Sequence, residues 1–262
     1  RRGIARKPHG YYRTCTLRED VFDVLTDESA YWIGILATDG CVGNTRPWNV
    51  ISLNFKLSDL DHLLLFRDFL GSNHTISFTT LPHPTIPGKM VKACHLQVHS
   101  THMTEALAQY GVVPRKTFTL TAKGGVEKFR SYWRGVYDGD GTLGITRGGW
   151  PFCSLKSASE AFVIQCRDFL HANGVRGDQC IIVEHPGKNS LSKHDKYIFR
   201  LGTRPALDAV ALLYTDSVPA LARKSQCART MLSRGINKEL HGTIRTNWYD
   251  SKAAAWAEQV IN

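Results

Sequence analysis

Apolar and polar positions alternate over residues 49–57, the pattern of a half-buried strand. Ile51, Leu53, Phe55 and Leu57 would share one face, and Ser52, Asn54 and Lys56 the other. A helical pattern precedes it at residues 28–39. Thr26 is placed to cap that helix, Asp27 and Glu28 occupy its first turn, and Gly40 suits the position just past its end. A second helix is expected from about Ser58. Strands are expected near 74–80 and 90–98, around the turn-rich segment 81–88, and a third helix at 101–110 that stops at Gly111. The order is helix, two strands, helix, two strands, helix.

That order returns from residue 129 to about 215, because the chain is written twice. Residues 31–41 read YWIGILATDGC and residues 132–142 read YWRGVYDGDGT, an offset of 101. Arg67-Asp68-Phe69-Leu70 recurs as Arg167-Asp168-Phe169-Leu170, and His95-Leu96-Gln97-Val98 has a counterpart in Ile198-Phe199-Arg200-Leu201. Arg115-Lys116-Thr117 recurs as Arg223-Lys224-Ser225. Four landmarks in one order with slowly drifting offsets describe a duplicated unit with loop insertions. Ser157 and Glu160 have the spacing of a capping box before the second unit's middle helix. The two units are expected at 28–120 and 128–234, joined by a linker at 121–127. A basic arm at 1–27 would precede them, and a tail at 235–262 would hold an Ala-rich helix near 249–260.

With 42% apolar and 21% charged residues the composition is globular, not disordered. No apolar run approaches the roughly 18 residues of a membrane span, so no membrane partner is expected. The start, Arg1 to Lys7, is basic with no apolar stretch behind it, which predicts no secretory leader. A first residue other than Met is what a piece of a longer protein would show. Seven cysteines, an odd number without a CxxC pair, point to an intracellular, reducing compartment: cytoplasm, nucleoid or an organelle. A net charge of +10 points to a polyanion, nucleic acid above all. Cys94, His95, His99 and His102 are zinc-ligand types. Their spacing straddles a strand and a helix start without a second cysteine pair, so core or DNA-face roles are expected instead.

The repeated helix ends carry the candidate chemistry. Gly34 and Thr38 are four apart, as are Gly135 and Gly139, and small residues so spaced form a groove through which two helix backbones can approach. Glycine inside a helix costs about 1 kcal/mol relative to alanine, so a packing reason is expected: the two helices meet on a pseudo-two-fold axis. Trp32 and Trp133 would pack beside them. Asp39 and Asp140 then converge at two helix C-termini, where the macrodipoles are already negative. Acids placed against the local field mark a functional site, and divalent cations would relieve the repulsion, with hard oxygen ligands suited to Mg²⁺.

The blocks WIGILATDG and WRGVYDGDG resemble the two signature motifs of LAGLIDADG homing endonucleases in their single-chain form, and Glu28 to Trp32 is similar to bacterial and phage members. The resemblance spans about residues 10–235. It implies an α+β fold of tandem pseudo-two-fold αββαββα repeats, with the motif helices at the interface and two antiparallel sheets forming a DNA-binding saddle. It implies a monomer that cuts both strands of a duplex site of about 20 base pairs, leaving short 3′ overhangs. Two or three Mg²⁺ ions would serve at Asp39 and Asp140, with Gly40 and Gly141 in the metal site. Mn²⁺ would substitute, and Ca²⁺ would bind without cleavage. Asp138, where the first motif has Ala37, is not the metal ligand of the pattern and is read as helix-end or supporting chemistry.

Lys56 and Lys156 end the second strand of each unit, where the resemblance implies a Gln or Lys near the scissile phosphate, and Lys116 and Lys224 lie in a segment where it implies a pocket lysine, so all four join the catalytic set. Base reading is expected from Ser52, Asn54, Gln97, Ser154 and Arg200, and from hairpin tips at Arg46, Asn49 and Arg147. Two other readings stand beside the nuclease: an RNA maturase assisting intron splicing, and a regulator of the same fold that binds DNA without cutting it. An intein origin is disfavoured, as neither terminus shows a splice-junction pattern.

Overall fold

A computed structural model of the chain describes residues 15–45, 48–82, 86–177, 180–187, 193–215 and 219–240. The first unit runs α1 (Asp27–Thr38), β1 (Gly40–Thr45), β2 (Trp48–Lys56), α2 (Leu60–Phe69), β3 (Ser77–Pro82), β4 (Met90–His99), α3 (Thr101–Gln109). The second repeats it as α4 (Arg130–Gly139), β5 (Gly141–Ile145), β6 (Pro151–Ser157), α5 (Glu160–Ala172), β7 (Ile181–Glu184), β8 (Lys196–Gly202), α6 (Thr203–Leu213), and a further helix, α7 (Ala222–Leu240), follows. Each unit forms a four-stranded antiparallel sheet, in the orders β1-β2-β4-β3 and β5-β6-β8-β7. This is an α+β fold made of two αββαββα units.

Alternation decides which side of each sheet meets the helices. Ile51, Leu53 and Phe55 of β2 and Cys94, Leu96 and Val98 of β4 are buried beneath α2 and α3. Cys153, Leu155, Phe199 and Leu201 do the same in the second sheet. The aromatic packing repeats with the fold. The Trp32 ring lies 5.0 Å from His62 and 6.1 Å from Phe69, and the Trp133 ring lies 5.5 Å from Phe162 and 5.8 Å from Phe169. Both tryptophans are fully buried. Each removes on the order of 200 Å² of ring surface from water and anchors its motif helix to the middle helix of its own half.

Several local features differ from the sequence pattern. Leu57 leaves the strand and starts a 3₁₀ turn, Leu57–Asp59, so it is partly exposed instead of continuing the buried row. The Ser157–Glu160 capping box does not form. Ser157 Oγ accepts from the Ser159 amide at 3.2 Å, and Ser159 donates its hydroxyl to the Leu120 carbonyl at 2.7 Å. Thr26 does cap α1, with Ser29 completing a box. Gly40 is not a left-handed helix stop but the first residue of β1. Glycine is required there for closeness, since a Cβ would lie 2.6 Å from the Leu36 Cα.

Residues 15–25 are not a loose arm. Phe22 is fully buried against Phe69, Arg18 donates to the Phe69 carbonyl at 2.6 Å, and Tyr110 Oη donates to the Phe22 carbonyl. The tail helix expected near 249–260 lies outside the described residues. No helix of the described residues is long and apolar enough to cross a membrane.

Candidate active site at the paired helix ends

Helices α1 and α4 pack face to face along the small-residue grooves. At their N-terminal ends Ser131 Oγ donates to Asp27 Oδ1 at 2.9 Å. In the middle, a Cβ on Gly34 would overlap the Tyr132 carbonyl oxygen, and one on Gly135 would overlap that of Tyr31. Nearer the C-termini, a Cβ on Gly139 would collide with Thr38 Oγ1 and come within 3.3 Å of Asp39 Oδ2. Thr38 itself folds its hydroxyl back onto the Gly34 and Ile35 carbonyls, both at 3.1 Å. The Asp39 carboxylate therefore sits against the residue that precedes Asp140.

Asp39 and Asp140 are the C-cap residues of α1 and α4. Both side chains reach solvent at the rim while protein crowds them from the other sides. Desolvation, then the neighbouring Asp140 charge, raises the Asp39 pKa to about 6, against the pull of Arg223 and Lys224. Desolvation also raises that of Asp140, opposed by Lys116 and Lys224. Two hard-oxygen donors held together at this electrostatic cost form a cation site in the making.

The two predicted pocket lysines occupy matching positions. Lys116 Nζ donates to the Gly40 carbonyl at 2.5 Å. Lys224 Nζ donates to the Gly141 carbonyl, and to that of Tyr137 at 3.1 Å. Desolvation lowers the pKa of both ammonium groups, and the nearby carboxylates draw it back up. The Gly40 and Gly141 carbonyls, expected in the metal site, thus each accept an ammonium beside the two acids, with a second lone pair left over.

Strand register separates the other two lysines. Gly40 pairs with Leu53, and Gly141 with Leu155. The register counterpart of Lys156 is therefore Asn54, not Lys56. The offset of 100 that links Lys56 to Lys156 is the offset of the helices that follow, and the 3₁₀ turn at Leu57–Asp59 absorbs the difference. Lys156 lies one residue beyond the rung where Asp140 leaves the strand, and it forms an ion pair with Glu184 on β7. Lys56 lies two positions further out, exposed, opposite Ala93.

Of the expected base readers, Ser52, Asn54 and Gln97 share the face of the first sheet away from the helices, and Ser154 and Arg200 that of the second. Ser52 pairs with Gln97 as Ser154 pairs with Arg200. Arg200 stacks its guanidinium 5.0 Å from the Phe152 ring, and Arg147 is exposed in the β5–β6 turn. Asn49 departs from the expectation: it faces the helices and donates to Thr104 Oγ1 at 2.9 Å. Arg46 lies outside the described residues. The open face also holds His95 and His99, selected by the alternation that selected Gln97, as one of the two roles expected of that segment. The zinc constellation does not form. Cys94 points into the core, His95 and His99 to the open face, and His102 pairs with Asp23 at 2.8 Å. No group of three or more His, Cys, Asp and Glu side chains converges among the described residues.

Asp138 is fully buried and not at the rim. Its Oδ1 accepts from Tyr214 Oη, and its Oδ2 from Tyr31 Oη and the Leu221 amide, each at 2.7 Å. Desolvation raises its pKa, and these three donors oppose the shift. Since Tyr31 gives its one hydroxyl proton to Asp138, its contact with His62 Nε2 at 2.7 Å requires that nitrogen to donate. That fits a neutral His62, whose pKa burial lowers to about 4.

No family model matches the chain, and no curated protein matches it as a relative. Solved structures do. The I-LtrWI LAGLIDADG homing endonuclease bound to target DNA is 9% identical, covering 93% of this chain and 97% of its own, with a TM-score of 0.46. The homing endonuclease I-WcaI bound to its DNA recognition sequence is 12% identical, with coverages of 75% and 84% and a TM-score of 0.48. Mesophilic variants of the homing endonuclease I-DmoI are 13% identical, with coverages of 79% and 98% and a TM-score of 0.48. The likeness spans most of each chain, at identities that fix no residue correspondence. The solved structures to which this chain is similar are LAGLIDADG homing endonucleases.

Proposed function

We propose that the protein is a site-specific double-strand DNA endonuclease that works as a monomer with Mg²⁺. The observation that carries this reading is the pairing of Asp39 and Asp140 at abutting helix ends, each beside a glycine carbonyl held by a lysine, between two sheets with polar open faces. A structural acid pair would be expected to find cationic partners at short range. Here the ammonium groups bind carbonyls instead, and the carboxylates stay open at the rim.

The donor set fits a hard divalent cation. Mg²⁺ is commonly held by one or two carboxylates, with water and substrate phosphate oxygens supplying the rest. Asp39 and Asp140 would hold it, and when bound it supplies Lewis-acid stabilisation of the phosphoryl and leaving oxygens. The remaining work falls to the chain's own groups. Lys224 and Lys116 place positive charge beside the helix ends, where it can meet charge developing on phosphate. Lys156 adds an ammonium in the second half, where the first half offers the Asn54 amide. The open-face residues fix the register of about 20 base pairs, and basic side chains at the rims supply phosphate contacts. Seven cysteines, an odd number without a CxxC pair, support a reducing intracellular location.

The test is cleavage of a library of randomised duplexes with and without Mg²⁺. Asp39→Asn and Asp140→Asn should each abolish double-strand cleavage while binding, measured in Ca²⁺, persists. Full cleavage by either variant would sink the metal-site assignment. Absence of cleavage by the wild type, with intron RNA bound instead, would favour the maturase reading.

A further inference from the structure

We infer that Asp138 is a positioning residue for Lys224, acting through the Leu221 amide, and that it makes cleavage of one strand depend on a contact the other half does not have. The inference rests on the nuclease reading above. Asp138 is the one acid of the two motifs that does not reach the rim, so a direct contact with substrate is closed to it. Two of its partners are tyrosines, which knit α1 and α6 to α4. The third is different in kind. Leu221 immediately precedes α7, and its carbonyl accepts the amides of both Lys224 and Ser225 at 2.9 Å. Its own N–H is held by Asp138 at 2.7 Å. The peptide that begins α7 is thus clamped to the end of α4. Lys224 lies one turn further on, 8% exposed, with its Nζ on the carbonyls of Tyr137 and Gly141, the residues on either side of the Asp138–Asp140 segment. One buried carboxylate therefore sets where α7 starts, and α7 sets where the ammonium sits.

The first half lacks this device. Ala37 stands where Asp138 would be, and Lys116 opens a short 3₁₀ turn, Lys116–Phe118, entered through Arg115 at φ 58°. Lys116 therefore reaches the Gly40 carbonyl by backbone geometry of its own. Loss of the Asp138–Leu221 bond should displace one lysine of the pair and leave the other in place, and a misplacement of about 1 Å can cost on the order of 100-fold in rate.

The experiment follows the two strands separately on a supercoiled plasmid carrying one target site recovered with the wild type. Asp138→Ala, which leaves no acceptor for the Leu221 amide, is expected to bind the target in Ca²⁺ within a few-fold of wild type. One strand should then lag by on the order of 100-fold, so that nicked circle accumulates. Lys224→Met should lag on the same strand, and the double variant no further. Tyr214→Phe, which keeps the carboxylate on Leu221, should show no strand bias. Should Asp138→Ala fail to fold, replacing Leu221 by its α-hydroxy analogue removes the N–H donor while keeping the side chain and the carboxylate, and must give the same lag. Equal slowing of both strands, a lag on the strand that Lys224→Met leaves intact, or an additive double variant would overturn the inference. A wild type that cuts neither strand overturns the nuclease reading itself, and this inference with it.

Discussion

Asp39 shows how a functional residue is placed against the stability of its own fold. Its pKa rises from 3.8 to about 6 because burial and Asp140 disfavour the charged form. Below the unfolded value both states are protonated, and the shift has no effect. Between about pH 4 and 6 the native state keeps a proton that the unfolded chain has lost, so stability falls as pH rises through that window; above it the full penalty remains. Asp39→Asn should therefore melt above wild type at pH 7.5, by about 1 kcal/mol once its partial exposure is allowed for, or about 2–4 °C in a chain of this size. The gap should close as pH approaches 4. Thermal melts of the two proteins across that range check it, and a variant that melts lower at pH 7.5 would contradict the assignment. The acid was legible in the sequence because the motif occurs twice. The residues around it were not equally so. The partners of Asp138 come from Tyr31, Tyr214 and Leu221, up to 107 positions away, and no spacing rule joins them. Lys56 was matched to Lys156 by position along the chain, and only the ladder shows Asn54 in that place.

The helix pair carries the next scale. Alanine in place of glycine normally favours a helix by about 1 kcal/mol. At Gly135 the new Cβ would overlap the Tyr31 carbonyl oxygen, a backbone atom that cannot swing away. Overpacking of this kind costs about 1–3 kcal/mol or more, so the clash outweighs the propensity gain. Gly135→Ala is expected to lower the urea midpoint. It should also slow cleavage, because separating α1 from α4 separates Asp39 from Asp140. A midpoint at or above wild type would show that the helices do not meet there. This contact was readable from the pairs Gly34/Thr38 and Gly135/Gly139, since small residues at i and i+4 leave a trace in one dimension. Helix α7 left a fainter one. Its sequence is polar along most of its length, and the apolar residues it buries among those described, Ala228 and Met231, are too few to draw an apolar stripe. Residues 15–25 were unreadable for a related reason: Phe22 is fully buried in a segment of turns, where neither the strand nor the helix period applies.

For the whole molecule, the question is whether two units make two domains. The duplication suggests separable halves, but the packing argues otherwise. A single buried cluster runs from Phe22 through α1 and α4 to Met231, and the α1–α4 contact lies inside it. The join between the halves is itself seated. Leu120 and Ala122 are buried, and Gln165 of α5 clamps Ala122 with hydrogen bonds of 2.9 and 3.0 Å to its amide and carbonyl. Parting the halves would bring Tyr31, Ile35, Tyr132 and Val136, all now fully buried, toward water. At about 1.5–3 kcal/mol per large apolar side chain, exposing such a set costs on the order of the roughly 5–15 kcal/mol that typically hold a domain folded. The covalent link should therefore matter little once the chain has folded. A protease site inserted between Lys123 and Gly124, cut in the native protein, is expected to leave two fragments that co-elute and unfold in one transition. Fragments that separate on a sizing column, or two resolved unfolding transitions, would show instead that the helix pair is a docking contact between independent domains.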